Sequence, residues 1–214
     1  MKNFFVILVI AGILGSSLTF FSCAGAPHLQ NDAFSAVISE NPPALPPERP
    51  ELPGHIIMGR GIVPEEKLAA FLLQINGQID EDFVLQLAGY YVTEAAAEGV
   101  NHDTAFAQMC LETGFLRYGG LVTPDMNNFC GLGAIGPEET GVIFDDPRTG
   151  VRAHIQHLQA YASTEPLVQE LVDPRYRYVK RGSAPTIYGL TGTWAADREY
   201  NEKIARILEN LYRF

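Results

Sequence analysis

The feature that most constrains the fold is a short segment between Asn101 and Gly114. Asn101 is a good N-terminal cap, because its side chain can accept hydrogen bonds from the first turn of a helix. Gly114 can adopt the left-handed conformation that commonly ends a helix. Between them, apolar residues recur at helical spacing, and Gln108 and Glu112 lie four residues apart at the edge of the apolar side. The segment therefore predicts a core-facing helix with two polar groups at its border.

Glu112 is the residue of this segment with the clearest chemical potential. It lies in the last helical turn, where the partial negative charge of the helix end disfavours ionisation, and partial burial also raises a carboxyl pKa. A glutamic acid that keeps its proton near neutral pH can act as a general acid in bond cleavage. The alternative is an exposed Glu near a helix end, and the helical pattern alone favours that alternative.

Hydrophobic periodicity predicts four more helices in the chain. Apolar residues repeat at three- and four-residue spacing after Pro64, Asp80, Pro147 and Asp197. The stretch from residue 115 to residue 144 is rich in glycine and has no sustained period, which predicts a loop with a short hairpin. The expected fold class is mainly α, with one irregular or partly β lobe.

Composition limits the kind of partner. The 214 residues are 47% hydrophobic and 19% charged, which is typical of a globular protein rather than a disordered one. The formal net charge is -10, and a nucleic acid partner is therefore not expected, because phosphate backbones are bound mainly through Lys and Arg.

The N-terminus has the pattern of an export signal. Lys2 supplies a positive charge and residues 4–14 are apolar. The pattern resembles a bacterial lipoprotein signal, in which residues 1–22 are removed and Cys23 is lipidated. This interpretation predicts a membrane-anchored lipoprotein of the bacterial cell envelope, facing the periplasm or the exterior. Cleavage within residues 24–26 to give a secreted protein and a retained N-terminal anchor are the alternatives.

Proline content then divides the chain into three parts. Residues 23–54 include a run of prolines that favours extended structure and cannot build a core, which predicts a tether. With the signal peptide at residues 1–22, the folded domain is expected to cover residues 55–214.

The remaining cysteines and histidines offer limited chemistry. In an oxidising compartment, Cys110 and Cys130 either form a disulfide that closes the loop between them or remain as two buried thiols. His154 and His157 lie three residues apart, but no third ligand is apparent, so no metal site is expected.

Three other side chains have a structural and a functional interpretation. Glu94 and Glu98 lie one turn apart on the second predicted helix, and this spacing predicts a solvated face. Trp194 precedes the last helix, and an isolated tryptophan is more often a core anchor than a platform for a sugar ring.

Four motifs follow one another between residues 107 and 208. They read AQMCLETGF at 107–115, NNFCGLG at 127–133, FDDPRTGVRAHIQHLQAYAS at 144–163 and GTWAADREYNEKIARIL at 192–208. Their order resembles the glucosaminidase domain of glycoside hydrolase family 73, over roughly residues 60–212 of this chain. The resemblance implies a lysozyme-like fold, with a helical lobe, a smaller lobe and a saccharide groove between them.

The resemblance also implies an activity, which is cleavage of the β-1,4 bond after N-acetylglucosamine in peptidoglycan. Glu112 matches the general acid of the family. The loop Asn127, Asn128 and Phe129 matches the segment that lines the groove beside that acid. A groove of this type needs no metal or organic cofactor.

Aromatic and amide side chains complete the predicted sugar-binding set. Tyr200 matches a tyrosine of the closing motif, and Trp194 stands where the family usually has tyrosine, which makes sugar stacking by Trp194 as good an interpretation as core packing. Gln108, one turn before Glu112, is predicted to bind substrate as well.

The second catalytic group is less well defined. Relatives carry a second Glu in a hairpin after the NNLFG-type loop, and the shorter segment of this chain offers Glu138 and Glu139. Asp145 and Asp146 are better explained as helix caps. A route assisted by the acetamido group of the substrate, or one that uses a single acid, is favoured over a base at residue 138 or 139.

Two other functions stay open on the sequence. One is a muramidase or lytic transglycosylase that keeps the same fold and Glu112. The other is a non-catalytic lipoprotein that binds peptidoglycan, which the shortened hairpin favours.

Overall fold

The computed structural model describes residues 54–214, and these residues form a helical domain with one small hairpin. The predicted signal peptide, the lipidation site at Cys23 and the tether up to residue 53 lie outside the described residues. The elements are α1 (Glu65–Ile75), α2 (Glu81–Glu98), α3 (His102–Glu112), β1 (Ala134–Gly136), β2 (Glu139–Thr140), α4 (Pro147–Ala162), α5 (Ile187–Leu190) and α6 (Tyr200–Arg213).

The central helix is α3, which is the segment predicted from Asn101 to Gly114. Asn101 caps it, because its Oδ1 atom accepts a hydrogen bond from the backbone N–H of Asp103 at 3.0 Å. Gly114 follows the helix with a positive φ of 59°, as predicted. Every residue from His102 to Cys110 is buried, because α2, α4 and α6 all contact this helix. The helix therefore has no solvated side before its last turn.

The other predicted helices are also present. Pro64 precedes α1, and the side chains of Asp80 and Asp146 cap α2 and α4. The last helix begins at Tyr200, three residues later than predicted. The Asp197 side chain accepts a hydrogen bond from the backbone N–H of Glu199, which forms a turn before the helix starts.

The predicted solvated face at Glu94 and Glu98 is wrong, because both carboxylates are buried. Glu94 accepts hydrogen bonds from Arg148, Arg152 and Gln169, and Glu98 accepts from backbone N–H groups of the segment after α4. Burial raises the pKa of Glu94, but its three hydrogen-bond donors outweigh burial and leave that pKa lowered. Helical spacing on α2 could not show that these donors come from distant parts of the chain.

The smaller lobe contains the predicted hairpin. Strands β1 and β2 pair antiparallel, with Ala134 opposite Thr140. A second hydrophobic cluster, separate from the main core, consists of Cys130, Leu132, Phe144 and Ala153.

The disulfide considered between Cys110 and Cys130 is not present, and both residues are buried free thiols. Cys110 packs in the main core, whereas Cys130 packs in the second hydrophobic cluster. Burial raises the pKa of both thiols, so they behave as small apolar side chains.

Candidate active site

The C-terminal end of α3 opens into a cleft of about 350 Å³. The cleft is lined by Glu112, the turn after α3, the loop at residues 128–134 and the pair Trp194 and Ala195. A larger cavity of about 800 Å³ lies elsewhere, beside residues 59–64, and no carboxyl group lines it. Since Glu112, the candidate general acid, lines the smaller cleft, that cleft is the candidate active site.

Glu112 is held in this cleft by two hydrogen bonds to the same oxygen. The Tyr200 hydroxyl and the indole N–H of Trp194 both donate to Oε1, the second at 3.0 Å. Burial raises the pKa of Glu112 above its ordinary value, and the donors from Tyr200 and Trp194 only partly oppose that rise. The carboxyl group therefore keeps its proton to a higher pH than an exposed Glu does.

The other oxygen, Oε2, faces Gly131. A methyl group added at Gly131 would lie 3.8 Å from Oε2, and Gly131 has a positive φ of 71°. Gly131 therefore leaves the space beside Oε2 open, and with Oε1 occupied by two donors, Oε2 is the oxygen available to carry a transferable proton.

Two residues predicted to bind substrate lie behind Glu112 instead of in the cleft. Tyr200 is 4% exposed and Gln108 is fully buried. The Gln108 amide donates to the Tyr200 hydroxyl at 2.7 Å and contacts His154 Nε2 at 3.0 Å. These two side chains are therefore not placed to contact a sugar in the cleft, contrary to the prediction, because both are buried between the core helices, including α3 and α6.

The predicted loop at Asn127, Asn128 and Phe129 adjoins the site, but mainly braces it. Asn128 is buried, and its side-chain amide forms four hydrogen bonds with the backbone of Cys130 and Leu132 in the loop and of Val142, just after the hairpin. Asn127 donates to the Phe144 carbonyl at 3.0 Å. Phe129 is 1% exposed and belongs to the core, so its predicted contact with substrate is wrong. Of the three residues, Asn128 alone lines the cleft.

A glycine on α4 explains how this loop is seated. A Cβ atom at Gly150 would lie 1.8 Å from the Asn127 carbonyl oxygen. The loop and α4 therefore approach each other at a distance that only glycine permits.

Trp194 packs against the core and also lines the cleft. One side packs in an aromatic cluster with His157 and Tyr161, at ring-centroid distances of 5.0 and 5.5 Å. The partly exposed remainder lines the cleft next to Glu112. The ring is therefore anchored by the core and presented to the cleft.

The candidate second carboxylates lie on the hairpin. Glu139 belongs to β2 and Glu138 lies in the turn before it, and both are exposed. Neither residue lines the cleft.

The turn that follows Glu112 was not predicted from the sequence. Phe115, Leu116 and Tyr118 all have positive φ values between 57° and 59°, which is strained for residues with a side chain. The Asn76 side chain donates to the Phe115 carbonyl at 2.7 Å and supports this turn. The turn brings Tyr118 to the cleft, where burial raises its pKa to about 12.

His154, considered above only as a metal ligand, is buried behind Glu112. Its two ring nitrogens contact Gln108 and Tyr91.

Among the residues described, no three His, Cys, Asp or Glu side chains are grouped to hold a metal ion. Nor is any helix in residues 54–214 long and apolar enough to cross a membrane.

The fold and the cleft together define a lysozyme-like domain with a partly buried glutamic acid at the end of its central helix. Residues 88–213, more than half of the chain, match the family model described as "Glucosaminidase: Mannosyl-glycoprotein endo-beta-N-acetylglucosaminidase". The chain therefore belongs to the glucosaminidase family, glycoside hydrolase family 73.

Two individual proteins are similar to this chain. An uncharacterized protein of Borreliella burgdorferi is 44% identical over 158 residues, which cover 74% of this chain and 78% of that protein. The crystal structure of S. aureus autolysin E in complex with the muropeptide NAM-L-Ala-D-iGlu superposes with a TM-score of 0.52 at 12% identity. That match covers 77% of this chain and 73% of the autolysin chain, and it confirms the predicted lysozyme-like fold.

The close approach of α4 to the loop predicts that Gly150→Ala destabilises the domain. The added methyl group must displace the Asn127 backbone, and overpacking of this kind costs about 1–3 kcal/mol, or more when backbone has to move. Urea denaturation followed by circular dichroism measures the change in the free energy of unfolding. The control is Gly77→Ala, where the nearest atom is 3.5 Å away and φ is not positive. A Gly150→Ala variant as stable as the control would contradict the proposed packing.

Proposed function

We propose that this glycoside hydrolase cleaves peptidoglycan at the β-1,4 bond after N-acetylglucosamine, with Glu112 as the general acid. The observation that carries the proposal is the placement of Glu112, with a raised pKa, two donors on Oε1 and Oε2 facing the cleft. The similar autolysin structure contains a muropeptide, which supports peptidoglycan as the substrate.

In the proposed reaction, the proton on Oε2 passes to the glycosidic oxygen as the bond to the anomeric carbon breaks. The carboxylate that remains is stabilised by the Tyr200 hydroxyl and the Trp194 N–H, because hydrogen bonds to a charged acceptor are stronger than those to a neutral one. Trp194, at the cleft wall, is a platform for the apolar face of a sugar ring. Glu112 then accepts a proton from the water that completes hydrolysis.

We infer that the acetamido group of the substrate assists the reaction. A glycosidase needs a second group that acts as a base or a nucleophile, unless the 2-acetamido oxygen of the substrate attacks the anomeric carbon itself. Glu138 and Glu139 are exposed and do not line the cleft. N-Acetylglucosamine carries the required acetamido group, so the substrate supplies what the cleft lacks.

We further propose that Cys23 is lipidated and that the domain acts at the cell envelope on a proline-rich tether. Residues 4–14 and Cys23 carry this proposal through their resemblance to a lipoprotein signal.

Glu112→Gln is expected to lower cleavage of purified sacculi at least about a hundredfold, since a general acid contributes about 10²–10⁴-fold to the rate. Products of the active protein are reduced with borohydride and identified by mass spectrometry. Reduced N-acetylglucosamine ends are expected. Reduced muramic acid ends or anhydro ends would instead identify a muramidase or a lytic transglycosylase, and no soluble product would identify a binding protein. Full activity of Glu112→Gln would refute the role of this residue.

The double variant Glu138→Gln and Glu139→Gln is expected to cleave sacculi within a few-fold of the unmodified protein. The reason is that neither carboxylate lines the cleft. The same digestion measures it, with Glu112→Gln as the inactive reference. A loss as large as that of Glu112→Gln would show that the hairpin supplies the second catalytic group.

Cys23→Ala is expected to abolish incorporation of radiolabelled palmitate and to move the protein from the membrane to the soluble fraction. Lipid attachment requires the cysteine thiol, whereas the other two cysteines are buried in the folded domain. Unchanged labelling in the variant would exclude Cys23 as the lipidation site.

A further inference from the structure

A chain of buried polar side chains runs from the interior of the domain to Glu112. The Tyr91 hydroxyl contacts His154 Nδ1 at 2.9 Å, and His154 Nε2 contacts the Gln108 Oε1 atom at 3.0 Å. The Gln108 amide N–H donates to the Tyr200 hydroxyl at 2.7 Å, and that hydroxyl donates to Glu112. The chain links α2, α4, α3 and α6 through one series of hydrogen bonds.

His154 decides the direction of these hydrogen bonds. Burial lowers the pKa of His154 to about 3, so its ring is neutral and has one donor nitrogen and one acceptor nitrogen. The Tyr91 hydroxyl is fully buried, and donation to Nδ1 satisfies its hydrogen. Nε2 then carries the ring hydrogen and donates to Gln108 Oε1.

This arrangement sets the orientation of the Gln108 amide. With Oε1 held by His154, the amide N–H groups point to Tyr200. The Tyr200 oxygen accepts this bond, and its single hydrogen is directed to Glu112. In the opposite arrangement, Gln108 Oε1 would face Tyr200 and take that hydrogen, which would remove one of the two donors on Glu112.

We propose that His154 and Gln108 are positioning residues for the reaction proposed above, and that they act by directing the Tyr200 hydroxyl to Glu112 Oε1. Neither residue lines the cleft, so neither is a sugar contact. They influence Glu112 only through the direction in which the Tyr200 hydroxyl hydrogen points. This inference rests on the proposed function, because it takes Glu112 to be the general acid of the reaction.

Few other titratable groups lie near enough to Glu112 to influence its ionisation. The titratable neighbours are Tyr200 from α6 and, from the loops, Cys130 and Tyr118, whose pKa values burial raises. No Lys or Arg is among the residues that line the cleft. Under these conditions, the number of donors on Oε1 has a direct influence on how readily Glu112 ionises.

The test uses variants that change the hydrogen bond without adding charge. His154→Phe keeps a ring but removes the donor, whereas the amide of His154→Gln can restore a donor to Gln108. Tyr91→Phe removes the hydroxyl that determines which His154 nitrogen carries the hydrogen. This variant replaces His154→Phe in the test if His154→Phe does not fold. Each is prepared in the unmodified protein and in a Tyr200→Phe background, which lacks the hydroxyl. Tyr212→Phe is the control, because the Tyr212 hydroxyl contacts Asp103 and is outside the chain of contacts.

The measurement is the pH titration of Glu112 by NMR of the purified protein labelled with ¹³C at Glu carboxyl carbons, with Glu112→Gln to assign the signal. Tyr200→Phe and His154→Phe are expected to raise the titration midpoint by about one pH unit, since a hydrogen bond to a charged group is lost. Tyr91→Phe shifts it in the same direction, and His154→Gln and Tyr212→Phe leave it unchanged. In the Tyr200→Phe background, neither His154→Phe nor Tyr91→Phe adds a further shift.

A shift of equal size with and without the Tyr200 hydroxyl would overturn the inference, and so would an unchanged midpoint in both His154→Phe and Tyr91→Phe. Sacculus cleavage across pH is measured on the same proteins, and its alkaline limb is expected to move with the midpoint. The NMR result does not depend on cleavage. Activity retained by Glu112→Gln would therefore refute the proposed function even where the titration confirms the orientation of Tyr200.

Discussion

The site depends on the partial burial of one carboxyl group, that of Glu112, at the end of a buried helix. Burial favours the protonated form, and the two donors on Oε1 keep the penalty for ionisation from becoming prohibitive. A general acid needs this balance, since it must hold a proton before bond cleavage and bear a negative charge after it. The contacts around the end of α3 hold Glu112 in that environment.

The backbone on both sides of Glu112 has conformations or close contacts that are energetically unfavourable by themselves, and contacts with other parts of the fold stabilise them. The left-handed turn after α3 is held by a hydrogen bond from Asn76. The loop on the other side of the cleft is seated on α4 through the missing side chain of Gly150 and is braced by Asn128. Backbone strain is retained where the surrounding structure determines it, and here it shapes the walls of the cleft.

Much of the helical framework could be predicted from local signals. Asn101, Asp80 and Asp146 cap helices at the positions where their side chains reach the first turn, and Gly114 ends α3. Such signals operate within a few residues and are readable directly. The prediction for Tyr200 and Gln108 identified residues beside Glu112 but assigned them to the sugar, because neither a motif match nor helical periodicity shows which side of Glu112 a distant side chain reaches.

The sequence by itself determined the helices, the glycine-rich lobe, the family and Glu112 as the candidate acid, since each rests on short-range patterns or on motifs. Tertiary structure alone decided that Glu94 is a buried ion-pair partner and that Phe129 packs in the core. It also decided the contacts from His154 through Gln108 to Tyr200 and Glu112, whose members are 46, 92 and 88 positions apart in successive pairs. Burial and hydrogen-bond direction depend on groups that meet only after the chain has folded.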